Sequence, residues 1–321
     1  MESVGCAFCG RMSDEIAIVE NGYSGRRCVQ CGIIWISPRP SPSEISELYS
    51  DSHAAIYADA QLHFEQFKRM EAREALRAVK RYKEKGDLLE LGAGGGAFLA
   101  EARNAGFSPY AIELNPVEAG WIKCNLNIPC ESAALSTRTH GGRKFDVIYH
   151  RDVLSHLNDP VETFSLVNLS LKDDGIVVFE TGNIADVNQK FFPLFAQFLY
   201  PDHLYFFGEK SLRLLLERTG FECLDIKRRS IALPLLVRKL LWKVKDHLKD
   251  SDALPSAKAA TTLNDRATRK SSMKRKLRLL YRYAYYYLGK LGKPLARKGW
   301  PLEFLVVARK KPSGKPSGET K

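Results

Sequence analysis

The stretch Glu90-Leu91-Gly92-Ala93-Gly94-Gly95-Gly96-Ala97 closes a short apolar run and opens a helical one. A strand that runs into three alternating glycines and then a helix reads as the first crossover of a doubly wound sheet. Glycines at 92, 94 and 96 let the backbone turn sharply and let a ligand lie against it without interference from a Cβ. Outward from this point, strand-like runs at 88–91, 109–113, 145–150 and 175–181 alternate with helix-forming stretches near 97–105, 116–125 and 160–171. Two more strands are expected at 221–227 and 304–309, with a helix across 209–219 ahead of the first. The pattern predicts an α/β fold with a doubly wound sheet, to which these runs give six strands.

The same glycine string satisfies G-x-G-x-x-[GA] by way of Ala97, and Glu113 follows at about the spacing of a dinucleotide fingerprint. Glu90 separates the two readings. A carboxylate two residues before the first glycine repels a pyrophosphate, but it can hold a cationic ammonium, directly or through the loop it orders. S-adenosylmethionine carries that ammonium and no phosphate. Glu113, ending the second strand, can then accept both ribose hydroxyls.

Seven cysteines in a chain whose first residues show no basic and apolar leader point to a reducing compartment. Cys6 and Cys9, then Cys28 and Cys31, give C-x2-C, eighteen residues, C-x2-C. At that spacing two knuckles present four thiolates to one tetrahedral Zn(II). Four protein ligands leave no open position, so the ion is expected to be structural. Cys124, Cys130 and Cys223 fall in apolar patterns and are read as packing residues.

Taken in order, residues 90–96, Ala111-Ile112-Glu113-Leu114-Asn115, the run 145–160 and the run 203–221 resemble class I S-adenosylmethionine-dependent methyltransferases. The front of the chain, 28–49, is similar to a zinc-ribbon subgroup of that family found in bacterial sugar, cell-surface glycan and natural-product pathways. The resemblance covers about 1–230 and the last strand, and it implies a Rossmann-like, doubly wound sheet of seven strands. It implies that Glu90, Gly92, Gly94 and Gly96 line the methionine end, that Glu113 binds ribose, that residues 131–133 border the adenine, and that His150 sits where the fourth strand opens into the site. Ser155 stands where the family often has Glu. A long insertion, 231–300, separates the sixth and seventh strands.

A sulfonium already makes its methyl electrophilic, so the protein has to align a nucleophile and exclude water. For a hydroxyl acceptor a histidine near neutral pKa is the natural base. His156, His203 and His150 all lie on segments expected at the C-terminal edge of the strands, where each could equally cap a helix or bridge loops. Asp152 is an alternative, including as a metal ligand. Eight aromatic residues in 191–207 form either a helical lid packed into the core or the wall of an apolar acceptor pocket.

The net charge of +12 is unevenly held. Residues 1–230 have 26 Lys and Arg against 31 Asp and Glu, or −5, whereas 231–321 have 23 against 6, or +17. Leu233, Leu236, Val237, Leu240, Leu241, Val244 and Leu248 follow helical spacing among Arg and Lys, with Trp242 on the same helix. A second basic helix starts at Lys274 and carries Leu277, Leu280, Tyr281, Ala284, Leu288 and Leu291 with a belt of tyrosines. Such helices suit an anionic membrane surface, cover the catalytic domain, or bind nucleic acid. No run of eighteen apolar residues exists.

The expected organisation is a zinc ribbon at 1–40, a helical linker or cap over the cofactor site at 41–85, a methyltransferase domain at 86–230 and 301–310, a basic amphipathic insertion at 231–300 and a disordered tail at 311–321. The function expected from these features is O-methylation of a sugar in a cell-surface glycan or lipid-linked intermediate, in the cytoplasm, peripheral on the inner membrane face. RNA methylation and a non-catalytic binding module of the same fold are the alternatives. Absence of an Asn/Asp-Pro-Pro-Tyr/Phe run after the fourth strand, where 150–153 stand, argues against amino methylation of a base.

Overall fold

The structure is a computed structural model that describes residues 1–41, 43–44, 65–247, 279–280 and 282–312; for 65–66, 241–247 and 293 only the backbone is described. Most of the expected cap ahead of 65, the linker between the two basic helices with Leu248, Lys274, Leu277 and Tyr281, and the tail from 313 lie outside the described residues.

The chain opens with three short antiparallel strands, β1 (Ile16–Glu20), β2 (Tyr23–Arg27) and β3 (Ile34–Ile36). There follow α1 (Glu65–Val79), β4 (Gly86–Leu91), α2 (Ala97–Asn104), β5 (Phe107–Ile112), α3 (Pro116–Leu126), β6 (Cys130–Glu131), β7 (Phe145–Arg151), α4 (Pro160–Ser170), β8 (Leu171–Gly182) and β9 (Tyr205–Phe206). Last come α5 (Glu209–Arg218), β10 (Phe221–Ser230), α6 (Ala232–His247) and β11 (Leu302–Lys310).

The seven-stranded sheet runs β10-β11-β8-β7-β4-β5-β6. β11 is antiparallel to both its neighbours, and the pairs from β8 to β6 are parallel. Strand order reverses between β4 and β7, which opens a crevice at their C-terminal ends. Helices start where the sequence supplies caps. Asn115 accepts the amides of Val117 and Glu118 ahead of Pro116, and Asp159 accepts those of Val161 and Glu162 ahead of Pro160.

Each face of the sheet carries its own apolar layer. On one, Ala72, Leu76 and Val79 of α1, Phe98 and Leu99 of α2 and Ile122 of α3 cover Leu88, Val147 and Val178. On the other, Phe164 and Val167 of α4 and Leu212 and Leu215 of α5 cover Leu89, Ile148 and Phe179. Phe164, Phe179, Phe221 and Phe304 are fully buried, each worth roughly 1.5–3 kcal/mol against the exposed state.

The N-terminal sheet is not self-contained. β9, from the aromatic stretch, adds to β3 as a fourth strand, pairing Ile34 with Phe206 and Trp35 with Tyr205. Trp35 is 1% exposed, and its indole N–H donates to the Val4 carbonyl at 2.9 Å. Arg27 donates to the Ala185 carbonyl at 2.7 Å, and Arg39 to the Tyr205 hydroxyl at 3.1 Å. Of the cysteines expected to pack, Cys130 is buried and Cys223 half-buried, whereas Cys124 is exposed.

The described parts of the basic insertion lie against the domain. Ala232 and Leu235 are buried, and Tyr286, on the helical stretch 282–291, donates its hydroxyl to Glu74 of α1 at 2.5 Å. Phe67 meets Tyr283 edge to face at 5.3 Å. Leu236, Leu240, Leu280, Tyr287 and Leu291 remain exposed. No helix among the described residues is long and apolar enough to cross a membrane.

Candidate cofactor and acceptor site

The loop from β4 into α2 holds Gly92, Gly94 and Gly96 at φ of 66°, 53° and 73°, the left-handed region that glycine enters without penalty. A Cβ at Gly92 would stand 2.5 Å from Val153 Cγ2, and one at Gly96 2.5 Å from Leu126 Cδ1. At Gly94 the first atom met would be Glu118 Oε1, 3.8 Å away. Gly92 and Gly96 are thus needed for close packing, and Gly94 leaves an open cradle.

Three buried carboxylates surround that cradle. Glu113 accepts the Gly94 amide on Oε2 at 2.7 Å and the Asn115 amide on Oε1 at 2.8 Å. Burial nevertheless pushes its carboxyl up, against those amides. Glu90 is 6% exposed with Oε2 unpartnered; burial, and then the charge of Glu113, hold its carboxyl well above the usual range. Glu118, on the first turn of α3, is equally buried with Oε1 unpartnered, and burial followed by the Glu113 charge pushes it up to about 7. Lys68 of α1 borders the cluster: burial lowers its ammonium, and the charge of Glu118 opposes this most. Such orphaned, proton-hungry carboxylates beside an open glycine fit a cationic ligand. An anionic pyrophosphate would meet three acids.

His150 does not share this face. In register, Glu90 pairs with Tyr149 and Leu91 with His150, so the alternation of β7 sends Tyr149 to the side of Glu90 and His150 to the other. Tyr149 stacks on Phe98 with centroids 3.7 Å apart and donates its hydroxyl to Glu180 at 2.7 Å. His150 is 1% exposed, stacked on Phe179 at 5.0 Å and edge-on to Phe164, with neither ring nitrogen hydrogen-bonded. Burial drives its pKa down to about 3. The expectation that it opens into the site is corrected: the ring belongs to the aromatic core, packed between Phe164 and Phe179.

Beyond the end of β7 lies a cavity of about 330 Å³ whose lining includes Asp152, Ser155, Thr181, His203, Tyr205 and Phe206. Asp152 at φ 55° and Leu199 at φ 67°, also on the wall, both occupy the left-handed region that costs a non-glycine residue on the order of 1 kcal/mol or more. Val153, the residue after cavity-lining Asp152, is the side chain that stands against Gly92. The 191–207 stretch folds as a short 3-10 turn and loop rather than a helical lid. Phe192, Phe198 and Phe206 pack ring on ring, while Tyr205, Phe206 and Phe207 line the cavity.

His156 and His203 come together with rings 4.7 Å apart, edge to face. His156 Nδ1 lies 3.1 Å from both the carbonyl and Oδ1 of Asp202. Burial lowers its pKa and this carboxylate more than offsets that, for a net rise. His203 is held down to about 4 by burial and then by the charge of His156. Residues 131–133 are partly engaged elsewhere, since Glu131 accepts the His140 amide at 2.6 Å and the Tyr110 hydroxyl.

The four N-terminal thiols converge. Sγ of Cys6 and Cys31 are 3.6 Å apart, and those of Cys9 and Cys28 3.8 Å. A tetrahedron of sulfurs about 2.3 Å from one ion has edges of roughly 3.8 Å, so the donor set fits zinc. The knuckles repeat each other: Gly10 donates to the Cys6 carbonyl and Gly32 to that of Cys28, at φ of 69° and 76°.

Glu118, Lys68 and Asp202 were not singled out in the sequence. Glu118 sits three residues past the Asn115 cap, a place that turns it back toward the loop. Asp202 precedes His203, but nothing local announces its contact with His156, 46 residues away.

A profile of the family described as "Methyltransferase domain" matches residues 61–226, over half of the chain. No curated protein sequence matches it. Among solved structures, the 1,6-didemethyltoxoflavin-N1-methyltransferase of Burkholderia thailandensis, determined with 1,6-didemethyltoxoflavin and S-adenosylhomocysteine, superposes with a TM-score of 0.50 at 14% identity. That match covers 92% of this chain and 99% of that one. A SAM-dependent methyltransferase of Archaeoglobus fulgidus gives 0.46 at 16% identity over 78% and 98%. A cyclopropane synthase of Mycobacterium tuberculosis gives 0.48 at 14% over 74% and 83%. At these identities the likeness is one of fold.

Proposed function

The chain belongs to this methyltransferase-domain family, and from that premise we propose that it transfers a methyl group from S-adenosylmethionine to a sugar hydroxyl of a cell-surface glycan or lipid-linked intermediate. The observation that carries the reading is the cavity of about 330 Å³ with His203 on its wall and, beside it, Asp152, whose neighbour in sequence, Val153, packs against Gly92. Its volume lies at the small end of ligand pockets and suits a single ring.

In this reading Glu113 takes the ribose hydroxyls while Glu90 and Glu118 favour the cationic methionine end at Gly94. The cofactor, when bound, supplies a methyl group already activated by its sulfonium. Tyr205, Phe206 and Phe207 exclude water from the acceptor. His203 is neutral at neutral pH and accepts a hydrogen bond from the acceptor hydroxyl, orienting it, with His156 fixed beside it by Asp202. Cys6, Cys9, Cys28 and Cys31 hold a structural Zn(II) that fixes β3, and through β3 the β9 wall of the cavity. Exposed Leu236, Leu240, Leu280 and Leu291, set among Lys and Arg, support a peripheral site on the inner face of an anionic membrane.

Methyl-labelled S-adenosylmethionine offered with nucleotide sugars, lipid-linked saccharides and RNA tests the proposal. Label recovered as a methyl ether in a saccharide supports it. Label confined to RNA, or none with cofactor shown to bind, overturns it.

A further inference from the structure

We propose that His156, Asp202 and His203 form a second metal site, for a divalent first-row transition ion, on the wall of the acceptor cavity. Their ligand atoms lie within 4.8 Å of one another. His156 Nδ1 and Asp202 Oδ1 are already 3.1 Å apart, about the edge of a coordination polyhedron with bonds near 2.1 Å. Nδ1 of His203 is buried and makes no hydrogen bond, although its ring stands 4.7 Å from that of His156. A neutral imidazole nitrogen left without a partner beside a histidine and a carboxylate is the donor that a cation would complete.

Two imidazoles and one carboxylate are a facial donor set that takes Zn(II), Fe(II) or Co(II) and leaves coordination positions open. This distinguishes the site from the cysteine cluster, whose four thiols close the shell. The three ligands come from two segments, the turn after β7 and the residues just ahead of β9, and His203 lines the cavity directly. An ion there would face the cavity through its open positions and could hold two neighbouring oxygens of one acceptor, as in a vicinal diol. That task, though not the binding itself, rests on the sugar-hydroxyl reading. It would replace a histidine base with an ion that lowers the pKa of a bound hydroxyl.

The test is a Co(II) titration of the full-length protein with its cysteine site already loaded with zinc, followed by visible absorption and backed by metal analysis. One added equivalent is expected, with weak d–d bands and no thiolate charge-transfer band. Asp202→Asn keeps an oxygen that can face His156, so a hydrogen-bonding role alone predicts little change. The metal site predicts at least about tenfold weaker Co(II) binding, and Asp202→Ala should lose the equivalent altogether. Melting curves and S-adenosylmethionine calorimetry on each variant confirm the fold and read the cofactor site separately. A wild-type protein that binds no second equivalent, or an unchanged affinity in folded Asp202→Asn, overturns the proposal and leaves the methyltransferase reading untouched.

Discussion

Gly94 donates its backbone N–H to Glu113 Oε2 across 2.7 Å, tying the tip of the glycine loop to the end of the next strand. The other oxygen of the same carboxylate takes the amide of Asn115, the cap of α3. One side chain thus sets the shape of the cradle and remains at its edge for a ligand. Glu113→Gln keeps a single acceptor oxygen and loses the charge. S-adenosylmethionine affinity measured by calorimetry should fall by roughly 1.5–3 kcal/mol, the value of a hydrogen bond to a charged group. An unchanged affinity would remove Glu113 from the cofactor site.

The glycines should separate by role. Alanine at 92 combines a left-handed φ of 66° with a methyl 2.5 Å from Val153 Cγ2, and should lower unfolding stability in urea by about 2–4 kcal/mol. At 94 the backbone is also left-handed but the space is open, so Gly94→Ala should cost about 1–2 kcal/mol while weakening cofactor binding more than it weakens the fold. Equal stability losses in the two variants would contradict the cradle.

Much of this was legible because it is local. The glycine loop, its flanking acids, the paired cysteines and the alternation of apolar runs each occupy a few consecutive residues, and the strands and helices formed where those runs predicted. Glu118 and Asp202 escaped because their importance depends on partners brought up by the fold, Gly94 for one and His156 for the other. His150 was misplaced for a subtler reason. Its position at the end of β7 was correct, but which face it takes follows from the register of β7 against β4, and that is a property of pairing rather than of sequence. Tyr205 and Phe206 read as part of an aromatic lid because no periodicity reveals that two residues will complete another sheet.

Glu118 should make cofactor binding depend on pH. Its carboxyl is pushed up to about 7 by burial and by the charge of Glu113, and a bound cation would pull that value down. The protein therefore releases a proton on binding, and affinity should weaken as pH falls through 7. In Glu118→Gln this part of the pH dependence should vanish, leaving a flatter curve between pH 6 and 8 in calorimetry. A wild-type curve already flat across that range would show that no cation enters beside Glu118.

His150 is an acid-labile point of the core. Its folded pKa of about 3 lies below the usual 6.5, so it is protonated more readily in the unfolded chain. The stability it allows is present above pH 6.5 and is lost as pH falls toward 3; His203, held down to about 4, acts in the same direction. His156 acts oppositely, its raised pKa adding stability below 6.5 that disappears as pH rises through the folded value. His150→Leu removes two unpaired buried nitrogens between Phe164 and Phe179. It should raise stability at pH 7 by about 1 kcal/mol and reduce the loss on acidification, as read by denaturant melts from pH 7 to 4. A destabilised variant that also loses cofactor binding would restore His150 to the site.

Zinc should be felt well beyond its four ligands. β3 carries Trp35 into the core and pairs with β9, whose Tyr205 and Phe206 line the cavity beyond β7, so the cysteine module and the cavity wall are joined through one sheet. Isolated zinc modules derive on the order of 10 kcal/mol from their ion, but here Phe8, Trp35 and the contacts of Arg27 and Arg39 would hold part of the module in place without it. Cys9→Ser, or prolonged chelation, should therefore cost about 3 kcal/mol, a fall in Tm of roughly 5–10 °C, rather than unfold the chain outright. Acceptor binding should weaken more than S-adenosylmethionine binding, since β9 itself lines the cavity whereas the glycine loop is held by β4, α2 and Glu113. Calorimetry on the zinc-loaded and stripped protein reads both quantities. A chain purified without a stoichiometric ion, melting identically with and without chelator, would mean that the four thiols serve only as packing.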